Sequence, residues 1–231
     1  MSDNPIIVAL DGLDKDRALA LAQQLSQTGC GFKVNSLLRR EGRGLLEDLS
    51  IFGLVMADFK LHDIPNTVVN DVSDLSQTLC EGDFATVHAS GGIDMMSAAV
   101  KEASGKFQLL AITVLTSISP VQCELTFGCP PAIAVIKLAR WAALARMDGI
   151  VCSPRELKEL SRLAELRHLK KVTPGIRPEW YQNQTDDQQR VMTPKQAIDF
   201  GADYIVMGRP ITTASDPLEA MQRTLEEIRK G

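Results

Sequence analysis

Eight short runs of apolar and β-branched residues, each followed by a longer stretch of helical periodicity, limit what this chain can fold into more than any other feature. In order they are residues 6–10 (IIVAL), 31–34 (GFKV), 54–60 (LVMADFK), 84–89 (FATVHA), 108–115 (QLLAITVL), 149–152 (GIVC), 169–173 (LKKVT) and 203–208 (DYIVMG). Runs of this length and composition read as strands, and the segments after them read as helices, for example over 14–27, 64–79, 93–103, 132–146 and 154–166. Pro131 and Pro154 stand where a first helical turn tolerates a missing N–H. Eight βα units in 231 residues fit a parallel (β/α)8 TIM barrel, whereas an open doubly wound sheet would normally use fewer strands. No linker, low-complexity tract or short repeat interrupts the pattern, so residues 1–231 are expected to form a single α/β domain. The longest irregular stretch, 174–192, falls between strands seven and eight, and a loop of that length in a compact domain is more often functional than not.

In this architecture chemistry sits at the carboxyl ends of the strands, and here the apolar runs end in charge. Strand one ends in Asp11, strand two carries Lys33, strand three ends in Asp58 and Lys60 with Asp63 just beyond, and strand five leads to Thr116. The period of two places Asp58 and Lys60 on one side of strand three, facing the barrel interior or its mouth, with Phe59 toward the helices. One such pair is ordinarily a structural ion pair. With Lys33 on the next strand, four alternating charges are expected to converge, and desolvating ions costs several kcal/mol each, so stability alone gives little reason for the cluster. Acid–base chemistry does.

Across the mouth, strand eight ends in Gly208 and Arg209, and a short helix is expected to follow. Backbone can approach a ligand at the glycine, and a guanidinium beside helix N–H groups suits a phosphate, for which the loops after strands seven and eight are the customary site. Alone, the Gly-Arg pair is equally compatible with an arginine that caps a helix or pairs with a surface acid. For His62 a packing or hydrogen-bonding role competes with a catalytic one, His88 ends strand four before a tight loop into a helix, neither is counted as catalytic, and His168 is assigned a surface position. The three share no metal-ligand spacing, which argues against a zinc hydrolase.

The remaining composition narrows the field. Lys and Arg number 25 against 29 Asp and Glu, a net −4 with no basic block, so nucleic acid is not the expected partner. No run approaches the roughly 18 apolar residues of a membrane span, and the first residues lack a basic segment followed by a long apolar run, so no membrane association and a cytoplasmic location are expected. Five cysteines (Cys30, Cys80, Cys123, Cys129, Cys152) without a C-x-x-C pair read as reduced thiols.

The segment Asp58-Phe59-Lys60-Leu61-His62-Asp63-Ile64-Pro65-Asn66-Thr67 closely resembles the signature of the orotidine 5′-phosphate decarboxylase family. Residues 8–11 (VALD), 32–34 (FKV), 87–92 (VHASGG), 114–117 (VLTS), 172–178 (VTPGIRP) and 206–210 (VMGRP) resemble its other blocks in the same order, so the likeness spans essentially the whole chain. The ten-residue block is specific, while its Asp-x-Lys-x-x-Asp core is shared with sugar-phosphate relatives. The resemblance implies a homodimer that converts orotidine 5′-phosphate to UMP and CO₂ with no metal or organic cofactor. It implies that Lys60 donates a proton to C6, within a charge network of Lys33, Asp58, Lys60 and Asp63. Asp63 and Thr67 would come from the neighbouring subunit. Asp11 and Lys33 would hold the ribose hydroxyls, Thr116 would contact the pyrimidine, and Gln188, Gly208 and Arg209 would grip the phosphate, with Arg177 as the substrate-site arginine. The choice of Gln188 over Gln189 rests on counting back from residues 190–194, and the stretch 179–187 departs from the family pattern.

The implied chemistry suits these residues. Loss of CO₂ from C6 leaves charge in an orbital orthogonal to the ring π system, where a nearby ammonium stabilises it better than an electron-sink cofactor would. Two rivals stay open at this point. A metal-dependent sugar-phosphate decarboxylase or aldolase relative would need Mg²⁺ held by carboxylates, which Lys33 opposes, and a silent phosphate-binding barrel would not need the charge cluster.

Overall fold

Valine, isoleucine, leucine and phenylalanine recur in the short runs, and their neighbours in sequence become their neighbours in space. The computed structural model describes residues 4–181 and 192–229, and among these, eight parallel strands close into a barrel in chain order. They are β1 (Ile6–Ala9), β2 (Gly31–Val34), β3 (Val55–Leu61), β4 (Phe84–His88), β5 (Gln108–Ile112), β6 (Gly149–Val151), β7 (Lys170–Thr173) and β8 (Tyr204–Met207). The ring is closed by β1 against β8, with Ile7 opposite Val206. All eight expected strands are present, with ends displaced by a few residues.

Alternate residues point inward, and Ile7, Met56, Phe84, Leu110, Val172 and Val206 pack together as the filling of the barrel. The lysine-rich β7 is a strand because both of its lysines are satisfied. Lys170 Nζ donates to Gln108 Oε1 at 2.6 Å, and buried Lys171 donates through Nζ to the Leu169 carbonyl at 3.1 Å. At the opening of the strands a carboxylate device recurs on alternate units. Asp83, Asp148 and Asp203 precede β4, β6 and β8, and accept N–H bonds from Val55, Leu109 and Lys171 of the preceding strand at 2.7–2.8 Å. These acceptors satisfy backbone donors at strand starts, a stabilising role on the face away from the chemistry.

The helices form the outer layer. They are α1 (Lys15–Leu25), α2 (Ser36–Glu41), α3 (Gly44–Ser50), α4 (Pro65–Leu75), α5 (Ile93–Ala103), α6 (Pro120–Phe127), α7 (Pro131–Leu144), α8 (Leu157–Arg162), α9 (Pro194–Asp199), α10 (Arg209–Thr212) and α11 (Pro217–Arg229). Local chemistry sets their starts. Asp14 caps α1 by accepting from the Arg17 N–H, and Ser119 with Gln122 forms a reciprocal capping box on α6. In α4 the buried face is Val68, Val72 and Leu75, the i, i+4, i+7 spacing of an apolar stripe, each side chain contributing about 1.5–3 kcal/mol of burial.

The helix expected over 154–166 is three pieces instead: a 3-10 turn at Pro154–Glu156, α8, and a second 3-10 turn at Ala164–Leu166. Leu163 between them is extended, with φ −79° and ψ 110°, which interrupts the helical hydrogen-bond ladder. The expected segments 14–27 and 64–79 likewise end earlier, at Leu25 and Leu75. None of the described helices is long and apolar enough to cross a membrane by itself.

Candidate active site

The carboxyl ends of β1, β2 and β3 bring four charged side chains into one line. Lys33 Nζ lies 2.7 Å from Asp11 Oδ2 and 3.2 Å from Asp58 Oδ2, and Lys60 Nζ lies 2.6 Å from the same Asp58 oxygen. The order is therefore Asp11, Lys33, Asp58, Lys60, with signs alternating. The side chains of Asp58 and Lys33 in the middle are 7% and 13% exposed, and those at the two ends, Asp11 and Lys60, are 28% and 26% exposed, so the line is buried at its centre and opens at a carboxylate on one end and the Lys60 ammonium on the other.

Burial pushes the Asp58 carboxyl upward, and the ammoniums of Lys33 and Lys60 with their hydrogen bonds more than offset it, holding it below the usual carboxylate range. Asp11 follows the same logic: burial raises it, and Lys33 with donors from Asn35 and Ser36 brings it lower. Lys33 is pulled down by burial and held above its ordinary value by Asp58 and Asp11. Asp11, Lys33 and Asp58 accordingly stay charged through neutral pH.

Strand three reaches this geometry by an irregular path. Ala57 pairs with Ala85 and Leu61 pairs with Val87, so four steps along β3 oppose two along β4. Lys60 takes up the excess with φ +55°, a left-handed conformation costing a lysine about 1–2 kcal/mol. Asp58 and Lys60 do meet, though simple pleating is not what brings them together. Side chains from the flanking elements hold the freed backbone groups. Asn35 Nδ2 donates to the Asp58 carbonyl at 2.6 Å, Arg39 Nη2 to the Phe59 carbonyl at 3.1 Å, and the Lys60 N–H donates to Thr86 Oγ1 at 2.9 Å. The Thr86 hydroxyl in turn donates to Asp58 Oδ1 at 3.0 Å.

Two adjoining hollows open at this mouth and share Lys33, Pro174 and Val206. The first has Lys33, Lys60, Asp58 and Thr116 beside a mostly apolar wall that includes Met56, Ile112 and Val151. The second is lined by Asp11, Gly208, Arg209 and Arg177. An ammonium at an apolar wall can stabilise negative charge developing on a flat ring, and two guanidiniums with a glycine backbone can hold an anion one ring away. Arg177 is fixed by donating from Nη1 to the Ile176 carbonyl at 2.8 Å and by lying 5.9 Å from the Tyr181 ring.

Asp63 lines neither hollow. It is exposed, and its carboxylate accepts from the Ile64 N–H at 2.7 Å. Thr67, half-buried in the first turn of α4, lines neither hollow. Gln188 and Gln189 lie outside the described residues. His62 is exposed and its ring sits 5.3 Å from that of half-buried His88, which is held below the usual imidazole value by burial, then by His62 and Lys60, against the opposing effect of Asp58. His168 is exposed, as expected.

Sequence reasoning passed over Asn35, Ser36, Arg39 and Thr86, which grip the charged groups or the backbone that carries them. The available signal was the period of β4: with Phe84 facing the barrel interior, Thr86 must do so too, a lone hydroxyl beside strand three.

Comparison with known proteins places these features. Residues 4–224 match the model of the orotidine 5′-phosphate decarboxylase / HUMPS family. The chain is 43% identical to an orotidine 5′-phosphate decarboxylase of Dichelobacter nodosus, with 99% of this chain and 100% of the relative covered. It is 42% identical to that of Chromobacterium violaceum, covering 97% and 92%. The crystal structure of orotidine 5′-phosphate decarboxylase from Lactobacillus acidophilus superposes with a TM-score of 0.82 at 35% identity, covering 98% of this chain and 99% of the other.

Proposed function

This chain belongs to the orotidine 5′-phosphate decarboxylase / HUMPS family, and from that premise we propose that it converts orotidine 5′-phosphate to UMP and CO₂ in pyrimidine biosynthesis, with Lys60 stabilising and then protonating the C6 carbanion and no cofactor taking part. The observation that carries this reading is the line of charges from Asp11 to Lys60, ending in an ammonium at an apolar wall. Lys60 supplies positive charge where the C6 electron pair develops, then the proton that makes UMP. Asp58 pairs with Lys60 at 2.6 Å and faces the departing carboxylate. The second hollow takes the ribose at Asp11 and Lys33 and the phosphate at Gly208, Arg209 and Gln188, with Arg177 beside it. Thr116 contacts the pyrimidine. Binding energy gathered at the phosphate, remote from C6, holds the reacting ring against the charges.

The metal-dependent alternative is disfavoured by the donor set: the buried carboxylate at the centre, Asp58, already has two ammoniums at 3.2 and 2.6 Å, which oppose a divalent cation. In the assembled enzyme, which we take to be a homodimer, Asp63 and Thr67 of one subunit complete the site of the other.

UMP formation from orotidine 5′-phosphate in EDTA is the direct test. Turnover that persists in EDTA supports the reading; turnover abolished by EDTA and restored by Mg²⁺ assigns a metal-dependent relative instead; nucleotide binding without turnover assigns a silent barrel. Arg209→Ala tests the phosphate site. A lost charge-assisted contact of about 1.5–3 kcal/mol lowers kcat/KM for orotidine 5′-phosphate roughly 10- to 150-fold, mostly through KM. The dephosphorylated nucleoside orotidine is the control, because equal impairment on both substrates would mean that Arg209 does not act through the phosphate.

A further inference from the structure

We propose that Thr86 is a positioning residue that sets where the Lys60 ammonium stands, an inference that rests on the role given to Lys60 above. Thr86 is fully buried in β4, on the face of the strand that looks into the barrel. A hydroxyl there costs free energy unless it is hydrogen-bonded on both sides, and a valine would fill the same volume without that demand. Its two partners are the backbone N–H of Lys60 at 2.9 Å and the Asp58 carboxylate at 3.0 Å. A backbone N–H only donates and a carboxylate only accepts, so the hydroxyl has one orientation: it accepts from Lys60 and donates to Asp58.

That single relay ties together the two features that the irregular path of β3 leaves loose. The Lys60 N–H is out of the strand ladder, and without Thr86 it would lose its hydrogen-bond acceptor. Lys60 is held at φ +55°, from which an extended strand conformation would redirect its side chain. Through Oδ1, the same hydroxyl turns the Asp58 carboxylate so that Oδ2 receives both Lys60 and Lys33. Thr86 thus fixes the backbone from which Lys60 reaches and the anion against which it rests. It lines neither of the two hollows, so substrate affinity should be nearly indifferent to it while the chemical step should not.

Thr86→Val keeps the shape and removes the relay. The expected result is a fall in kcat of about 100-fold, the scale of a displacement near 1 Å at reacting groups, with KM changed less than about threefold. Thr86→Ser, which keeps the hydroxyl and drops the methyl, should hold kcat within about fivefold of wild type. A purely structural threonine would give the reverse: lower thermal stability in both variants with kcat of the folded enzyme unchanged. If Thr86→Val does not fold, Thr86→Cys, which keeps only a weak donor and drops the methyl, takes its place and should show an intermediate loss of kcat.

A crystal structure of the same variant provides a measurement that needs no turnover. In Thr86→Val, or in Thr86→Cys if it stands in, Lys60 should leave φ +55° and its Nζ should withdraw from Asp58 Oδ2. Retention of both, or a kcat equal to wild type, overturns the proposal. Failure of the wild-type protein to decarboxylate orotidine 5′-phosphate would overturn the decarboxylase reading, and the structural arm would still decide whether Thr86 places Lys60.

Discussion

Lys60→Ala is expected to abolish turnover, lowering kcat by at least roughly 10⁴-fold, while UMP still binds within about tenfold of wild type. The size follows from asking one group to do two things. An electrostatic partner preorganised for developing charge is worth about 10²–10³ in rate, and a positioned proton donor about 10²–10⁴ more. Both are lost with the amine. Ground-state binding depends little on Lys60, because the groups assigned to the ribose and phosphate, Asp11, Lys33, Gly208 and Arg209, line a hollow that Lys60 does not. The variant keeps the Lys33 contacts to Asp11 and Asp58, so both carboxylates, including buried Asp58, retain a counter-ion and the barrel should remain folded. Steady-state kinetics, calorimetric titration with UMP and circular dichroism on one preparation check all three statements. A folded variant that keeps most of its turnover would remove Lys60 from the role of proton donor.

Local patterns in the sequence carried the architecture much further than the detail of strand three. Each strand is short and mostly apolar, and most are followed by a helix start that a cap or a proline marks, so eight units could be counted without any tertiary information. The positions of Asp11, Lys33, Asp58 and Arg209 follow almost automatically, since a residue at the end of a barrel strand has few places to go. Lys60 is different. Alternation alone would place it beside Asp58, and it is beside Asp58, yet the backbone arrives there through a register shift and a left-handed residue. The shift is stabilised by Asn35, Arg39 and Thr86, residues 20 to 26 positions in sequence from the groups they hold. No local pattern encodes an acceptor supplied by the next strand. The broken helix after β6 was illegible for a similar reason: residues 154–166 have helical spacing, and one extended residue, Leu163, ends it.

Asp63 is the residue for which a single chain is least informative, and it leads to the second large expectation. The strand-three motif carries it past the barrel rim to the start of α4, where it is exposed, hydrogen-bonded to the Ile64 N–H, and outside the lining of both hollows. Beside it Ile64 is 66% exposed, an apolar side chain that a subunit contact would cover. If Asp63 completes the charge network of the neighbouring subunit, Lys60 and Asp63 of any one site come from different chains. Mixing Lys60→Ala subunits with Asp63→Ala subunits then sorts the lesions. In each heterodimer one site carries both substitutions and the other carries neither. Random exchange at equal concentrations makes half the dimers heterodimers, each with one intact site, so activity should rise from near zero to about a quarter of that of wild type at the same subunit concentration. Native mass spectrometry follows the exchange and activity is read on the same samples. Heterodimers that form without regaining activity over the parent variants would return Asp63 to its own subunit, and an Asp63→Ala variant as active as wild type would remove it from the network altogether.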